Sequence, residues 1–92
     1  MPNMEEYCVL HPMEKDPVDG EIEIYFTMEK ENHVKLLLLD EDLNDFKDIA
    51  EQTYEVGGNI VRFDTASVSN GIYYYCLLTK NQKTFKKMRI EN

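Results

Sequence analysis

In "EIEIYF" the side chains change character at every step: Ile22, Ile24 and Phe26 fall on one side, and Glu21, Glu23 and Tyr25 on the other. A period of two is what a half-buried strand requires, because successive side chains of an extended backbone point to opposite faces. The pattern recurs along the chain. "HVKLLLLD" puts Val34, Leu36 and Leu38 on one face, and its apolar run is short for a helix. "GGNIVRFD" starts from Gly57 and Gly58 and sets Val61 and Phe63 against Ile60 and Arg62. "GIYYYCLLT" and "FKKMRI" are aromatic or β-branched runs separated by the polar turn "KNQK". Short strands divided by turn signals predict an all-β sandwich.

The tyrosine triplet obeys the same rule. After the Asn70-Gly71 turn signal, Tyr73, Tyr75 and Leu77 share one face, while Ile72, Tyr74, Cys76 and Leu78 share the other. A tyrosine suits the margin of a small sandwich, since its ring fills core volume while its hydroxyl reaches water or a backbone group. Burial, rather than an aromatic ligand platform, is the expected role. Upstream, "EEYCVLHPMEKDPVDG" reads as a short strand from Tyr7 to Leu10, followed by a loop punctuated by Pro12 and Pro17.

One stretch breaks the rhythm. "DEDLNDFKDIAEQTY" sets Leu43, Phe46, Ile49, Ala50 and Tyr54 at spacings near a helical stripe, with Asp40 or Asp42 able to cap its start. On periodicity alone it predicts a helix. The same stretch places Asp40, Asp42, Asn44, Asp48 and Glu51 at positions 1, 3, 5, 9 and 12 of a calcium-binding loop pattern. The position that needs glycine is Asp45, the usual apolar position is Lys47, and the incoming "VKLLLL" reads as a strand. A solvated acidic turn is therefore favoured over a calcium site, and no metal is assigned.

A chain of 92 residues with three prolines and four glycines suffices for one domain, residues 1–92, and leaves little room for a large internal cavity. The net charge of −8 opposes nucleic-acid phosphates and anionic lipid surfaces, so neither partner is expected. Charge is uneven, however: Lys80, Lys83, Lys86, Lys87 and Arg89 supply half of the ten basic residues from the last thirteen positions. No apolar run reaches the roughly 18 residues of a membrane helix, so no membrane insertion is expected. "MPNMEEYCVL" lacks the basic start and apolar core of a secretory leader, so a stand-alone chain is expected in the cytoplasm. Cys8 and Cys76 are expected as thiols, in cysteine's usual role as a small buried hydrophobe.

No chemistry-bearing constellation emerges. His11 and His33 are the only histidines, lie in different segments and lack ligands at zinc spacing, so both read as surface residues. There is no phosphate loop, no nucleophile elbow and no base at sequence proximity to Cys76. Neither an enzyme nor a cofactor is expected.

From about Pro12 onward, the order of elements resembles the type A C-terminal sorting domains of type IX secretion cargo in Bacteroidetes. The corresponding residues are Pro12 or Pro17; Val34, Leu36 and Leu38 ending at Asp40; Gly57, Val61, Phe63 and Asp64; Gly71, Ile72 and Tyr73; and Lys86, Lys87 and Met88. The family's Asn-Pro pair is replaced by His11-Pro12 or Asp16-Pro17, and Leu43 stands where its turn glycine would be. The resemblance implies an immunoglobulin-like antiparallel β-sandwich of about seven strands, similar also to the immunoglobulin-like domain of flagellar hook-capping proteins. It makes "DLNDFKDIAE" a strand, against the helical periodicity, and the strand is the reading adopted here. It places Cys76 at an outward position.

Two functions follow as expectations. As the resemblance implies, the chain is a non-catalytic sorting module of a secreted or surface-bound parent. Secretion machinery or a cargo domain would be its protein partner, and Gly71, Tyr73, Lys86, Lys87, Met88 and Arg89 its recognition residues. The alternative is a stand-alone immunoglobulin-like binding or adhesion domain, since fold does not fix function.

Overall fold

The computed structural model describes residues 8–13, 15–80 and 82–92, so the expected strand residue Tyr7 lies outside the described residues. Seven strands follow in order: β1 (Cys8–Leu10), β2 (Glu21–Met28), β3 (Asn32–Leu39), β4 (Asp45–Tyr54), β5 (Gly57–Asp64), β6 (Gly71–Leu78) and β7 (Lys83–Ile90). They form two antiparallel sheets, β1-β2-β5 and β4-β3-β6-β7, with a 3-10 turn at Thr65–Ser67 between β5 and β6. This is the all-β sandwich that the alternating pattern predicted, with the seven strands and immunoglobulin-like architecture that the family resemblance implied.

The alternation decides what is inside. Ile22, Ile24, Phe26 and Met28 of β2 face Val34, Leu36 and Leu38 of β3 and Tyr73, Tyr75 and Leu77 of β6 in one core cluster. Burying side chains such as Ile24, Leu36 and Leu38 contributes roughly 1.5–3 kcal/mol each. Val61 and Phe63 of β5 pack against this core, while Ile60 stays exposed. The ring of Tyr54 meets that of Phe26 edge to face, with centroids 5.0 Å apart. Leu37 and Leu39 are also fully buried, although they point away from the core, where they form a second cluster with Cys76.

The contested stretch is a strand, and its register explains the helical spacing. β4 pairs antiparallel with β3, and the register shifts twice, between Leu36 and Leu37 and between Leu38 and Leu39. At each shift β4 carries an unpartnered residue: Ile49 lies between the partners of Leu36 and Leu37, and Phe46 between those of Leu38 and Leu39. A bulge sets two residues against one, so both of the pair lean to the same side of the sheet. Two bulges three residues apart therefore convert a period of two into a period near three, which imitates a helix.

The turn before β4 is built by Asp40. Its carbonyl accepts the Leu43 N–H at 2.9 Å, and its Oδ1 accepts the N–H groups of Asp42 at 2.9 Å and Asn44 at 3.0 Å. Leu43 adopts φ 68°, the left-handed conformation that closes a three-residue hairpin loop. This is the position at which the resemblance implies a glycine, the residue that takes a left-handed φ without strain.

Between β1 and β2 the chain changes sheets. Its pairing with β2 ends at His11, and it then turns at a cis Asp16-Pro17 bond and reaches β7, where Val18 makes a parallel bridge to Ile90. Among the described residues, no buried side-chain nitrogen or oxygen lacks a hydrogen-bond partner.

Candidate functional site

β6 and β7 form a two-stranded ribbon that brings the sequence-predicted residues together. Gly71 lies opposite Ile90, Ile72 opposite Arg89, Tyr73 opposite Met88, Tyr74 opposite Lys87 and Tyr75 opposite Lys86. Alternation then sorts them. Tyr73 and Met88 are buried in the core, whereas Lys87 and Arg89 stand exposed on the outer face of the four-stranded sheet.

Two tyrosine hydroxyls fix the ribbon to its surroundings. Tyr73 donates to the carbonyl of Ser69 at 2.9 Å, which ties the strand to the turn that starts it, and its ring meets Phe46 with centroids 5.3 Å apart. Tyr75 donates to the carbonyl of His11 at 2.9 Å, which pins the crossing segment across β6. Burial pushes the Tyr75 phenol upward, so it stays a donor at physiological pH.

The outer edge of β7 is covered at both ends. Near Ile90 the Val18 N–H donates to the carbonyl of Arg89, and the Glu91 N–H donates to the carbonyl of Val18. Near Lys83 the side-chain amide of Gln82 stands in for a strand: its Oε1 accepts the Cys8 N–H at 3.0 Å and its Nε2 donates to the Cys8 carbonyl at 2.7 Å. Between these ends a cleft of about 180 Å³ opens, lined on one side by Lys86, Lys87 and Met88 and on the other by Pro12, Met13 and Asp16. Arg89 is engaged by Glu91 through two bonds, at 2.6 and 2.9 Å; this hydrogen bonding raises its already high pKa.

Asn92 was not foreseen. Its Oδ1 lies 2.9 Å from the buried Thr65 hydroxyl, and its Nδ2 donates to the carbonyls of Thr65 and Val68. Its own N–H donates to Asn70 Oδ1. The residues after β7 are thereby locked to the 3-10 turn and to the loop that leads into Gly71. Nothing in the local sequence signals this, because the partners lie far apart along the chain.

The acidic residues are not gathered into one site. Asp40 caps its turn, Asp48 faces Lys35 at 3.6 Å, and Glu51 accepts from His33 at 2.9 Å, which lowers the Glu51 pKa. Among the described residues, no group of three or more His, Cys, Asp or Glu is placed to hold a metal ion. His33 is exposed as expected, but His11 is half-buried, stacked on Tyr25 at 4.5 Å and bonded to Thr27. Cys8 faces the core and Cys76 faces outward from the other sheet, and no disulfide joins them. Cys76 is nevertheless fully buried, which pushes its thiol pKa up.

The family model for the secretion system C-terminal sorting domain matches residues 16–91. The chain belongs to that family. No curated protein and no solved structure matches it. The sorting domain is a non-catalytic signal module of type IX cargo, and the match spans β2 to β7 and the hub at Asn70 and Thr65. Among the described residues, no helix is long and apolar enough to cross a membrane.

Proposed function

We propose that the sorting domain is read through its β6–β7 ribbon by a protein of the type IX machinery, and that the parent chain is thereby exported and attached at the cell surface. Lys87 and Arg89 supply charge on the outer face. Lys86 and Met88 line the cleft beside Pro12 and Asp16, while Gly71 and Tyr73 hold the ribbon in register. The observation that carries this reading is the pairing of Gly71–Tyr73 with Met88–Ile90, which gathers two distant motifs on one edge. A terminal strand of this kind offers a partner both backbone groups and a fixed row of side chains.

Edge lysines also deter sheet-to-sheet aggregation, and a glutamate in their place keeps a charge on the edge. Charge reversal therefore separates the two roles. Deleting residues 86–92 would not, since it removes most of β7 together with the Asn92 hub. The domain, placed behind a secretory leader and carrying a reporter, is expected to reach the surface of a type IX-competent bacterium. The Lys87→Glu/Arg89→Glu double variant is expected to lower surface reporter by about tenfold or more, the effect of losing roughly 1.4 kcal/mol of recognition. Arg62→Glu, on the other sheet, serves as control. A folded double variant exported as well as the parent would refute the reading.

A further inference from the structure

The outer face of the four-stranded sheet carries an ordered charge pattern that the sorting role does not require. Three rows cross it, read directly from the strand registers: Asp45–Leu39–Tyr74–Lys87, Asp48–Leu37–Cys76–Phe85, and Glu51–Lys35–Leu78–Lys83. Read down the strands instead, β4 is an acidic column, β7 is basic apart from Phe85, and the two strands between them are mostly apolar. Leu37, Leu39 and Cys76 are already covered, and what lies over and beside them is a half-exposed layer of Tyr74, Leu78 and Phe85, with Phe85 41% exposed. The Tyr74 and Phe85 rings meet edge to face at 5.7 Å, which makes a stiff apolar ridge on an outward surface.

A partner of uniform charge meets repulsion on one flank of this strip. A surface with the same order, turned by half a revolution, matches both flanks. We propose that this face binds a second copy of the chain, in a symmetric dimer whose two-fold axis runs along the strands between the two sheets. That rotation puts β4 of each copy over β7 of the other and keeps the rows level. Asp45 then faces Lys87 of the second copy, Glu51 faces Lys83, and the Tyr74 and Phe85 ridges fill the space between the sheets. An axis running across the strands would instead stack acid over acid. Face-to-face sheets pack about 10 Å apart with strands within about 30° of parallel, a spacing that aromatic side chains fill.

Four strands about 4.8 Å apart and eight residues at about 3.3 Å each give a face of roughly 500 Å² per copy. Stable specific interfaces bury about 800 Å² per partner, so this dimer is weak and dissociates on dilution. Dimerisation covers Lys87, so a dimer cannot be read through that residue.

The test is sedimentation equilibrium on the 92-residue chain, with Asp45→Lys and Lys87→Glu made separately. By symmetry each reversal turns two attractions into two repulsions, so each variant alone is expected to be monomeric where the parent dimerises, a weakening of about tenfold or more. Mixed in equal amounts they restore both contacts and dimerise again. Glu51→Lys with Lys83→Glu provides a second pair should a variant of the first fail to fold, as judged by circular dichroism. A parent that stays monomeric at 1 mM, a dimer indifferent to both reversals, or a mixture of folded variants that stays monomeric would each overturn the proposal.

Discussion

Tyr73 and Tyr75 do two jobs each, with the ring in the core and the hydroxyl on a backbone carbonyl of another segment. The sequence carries the first job openly, since alternation assigns the faces of the triplet, but not the identity of the carbonyls. Tyr75→Phe keeps the ring and orphans the His11 carbonyl, so it is expected to cost about 1 kcal/mol in urea unfolding, with the fold retained. An unchanged midpoint would mean that the bond does not hold the crossing segment. Glu51 offers a residue-level test in pH. Its pKa is lowered in the folded state, first by the hydrogen bond from His33, so its contribution is present at neutral pH and fades as pH falls through the lowered value. The melting temperature of Glu51→Gln should therefore fall less than that of the parent between about pH 6 and pH 3, and equal falls would remove His33 as the cause. Asn92 and Thr65, by contrast, were illegible, because a hub of hydrogen bonds between distant residues leaves no periodic trace.

β4 is the element at which local pattern and fold disagree. Its helical spacing is real, but it arises from two bulges, at Phe46 and Ile49, in a strand paired along its length with β3. Periodicity reports which residues share a side; it does not report how the backbone achieves that. Only the succession of elements in the family, which needs a strand there, pointed the right way. The turn that feeds β4 is strained at Leu43, whose left-handed φ costs an L-residue roughly 1–2 kcal/mol. Leu43→Gly relieves that strain and gives back part of the gain as unfolded-state entropy, so a net stabilisation of about 0.5–1 kcal/mol is expected, while Leu43→Ile should destabilise. Chemical denaturation of the three proteins checks the order, and a Gly variant less stable than the parent would contradict it.

For the whole molecule, most of the sandwich was legible: the faces of β2, β3, β5 and β6 follow from alternate residues, and the core is built from those faces. Much of the candidate site was legible too, as residue types, but not as an arrangement. Strand order is set by hydrogen bonds between distant segments, so only the fold places Lys86–Arg89 against Ile72–Tyr75 and opens a cleft beside Pro12. The second apolar layer behind Leu37 and Cys76 escaped for a related reason, since outward-facing positions are expected to be wet. The central claim, that the machinery reads this ribbon, is tested most directly by photo-crosslinking during export. A photoreactive residue at position 87 or 89 should give an adduct with a type IX component, and one at position 23 or 62 on the opposite sheet should not. Adducts of equal yield from both sheets, or only from the opposite one, would contradict the account.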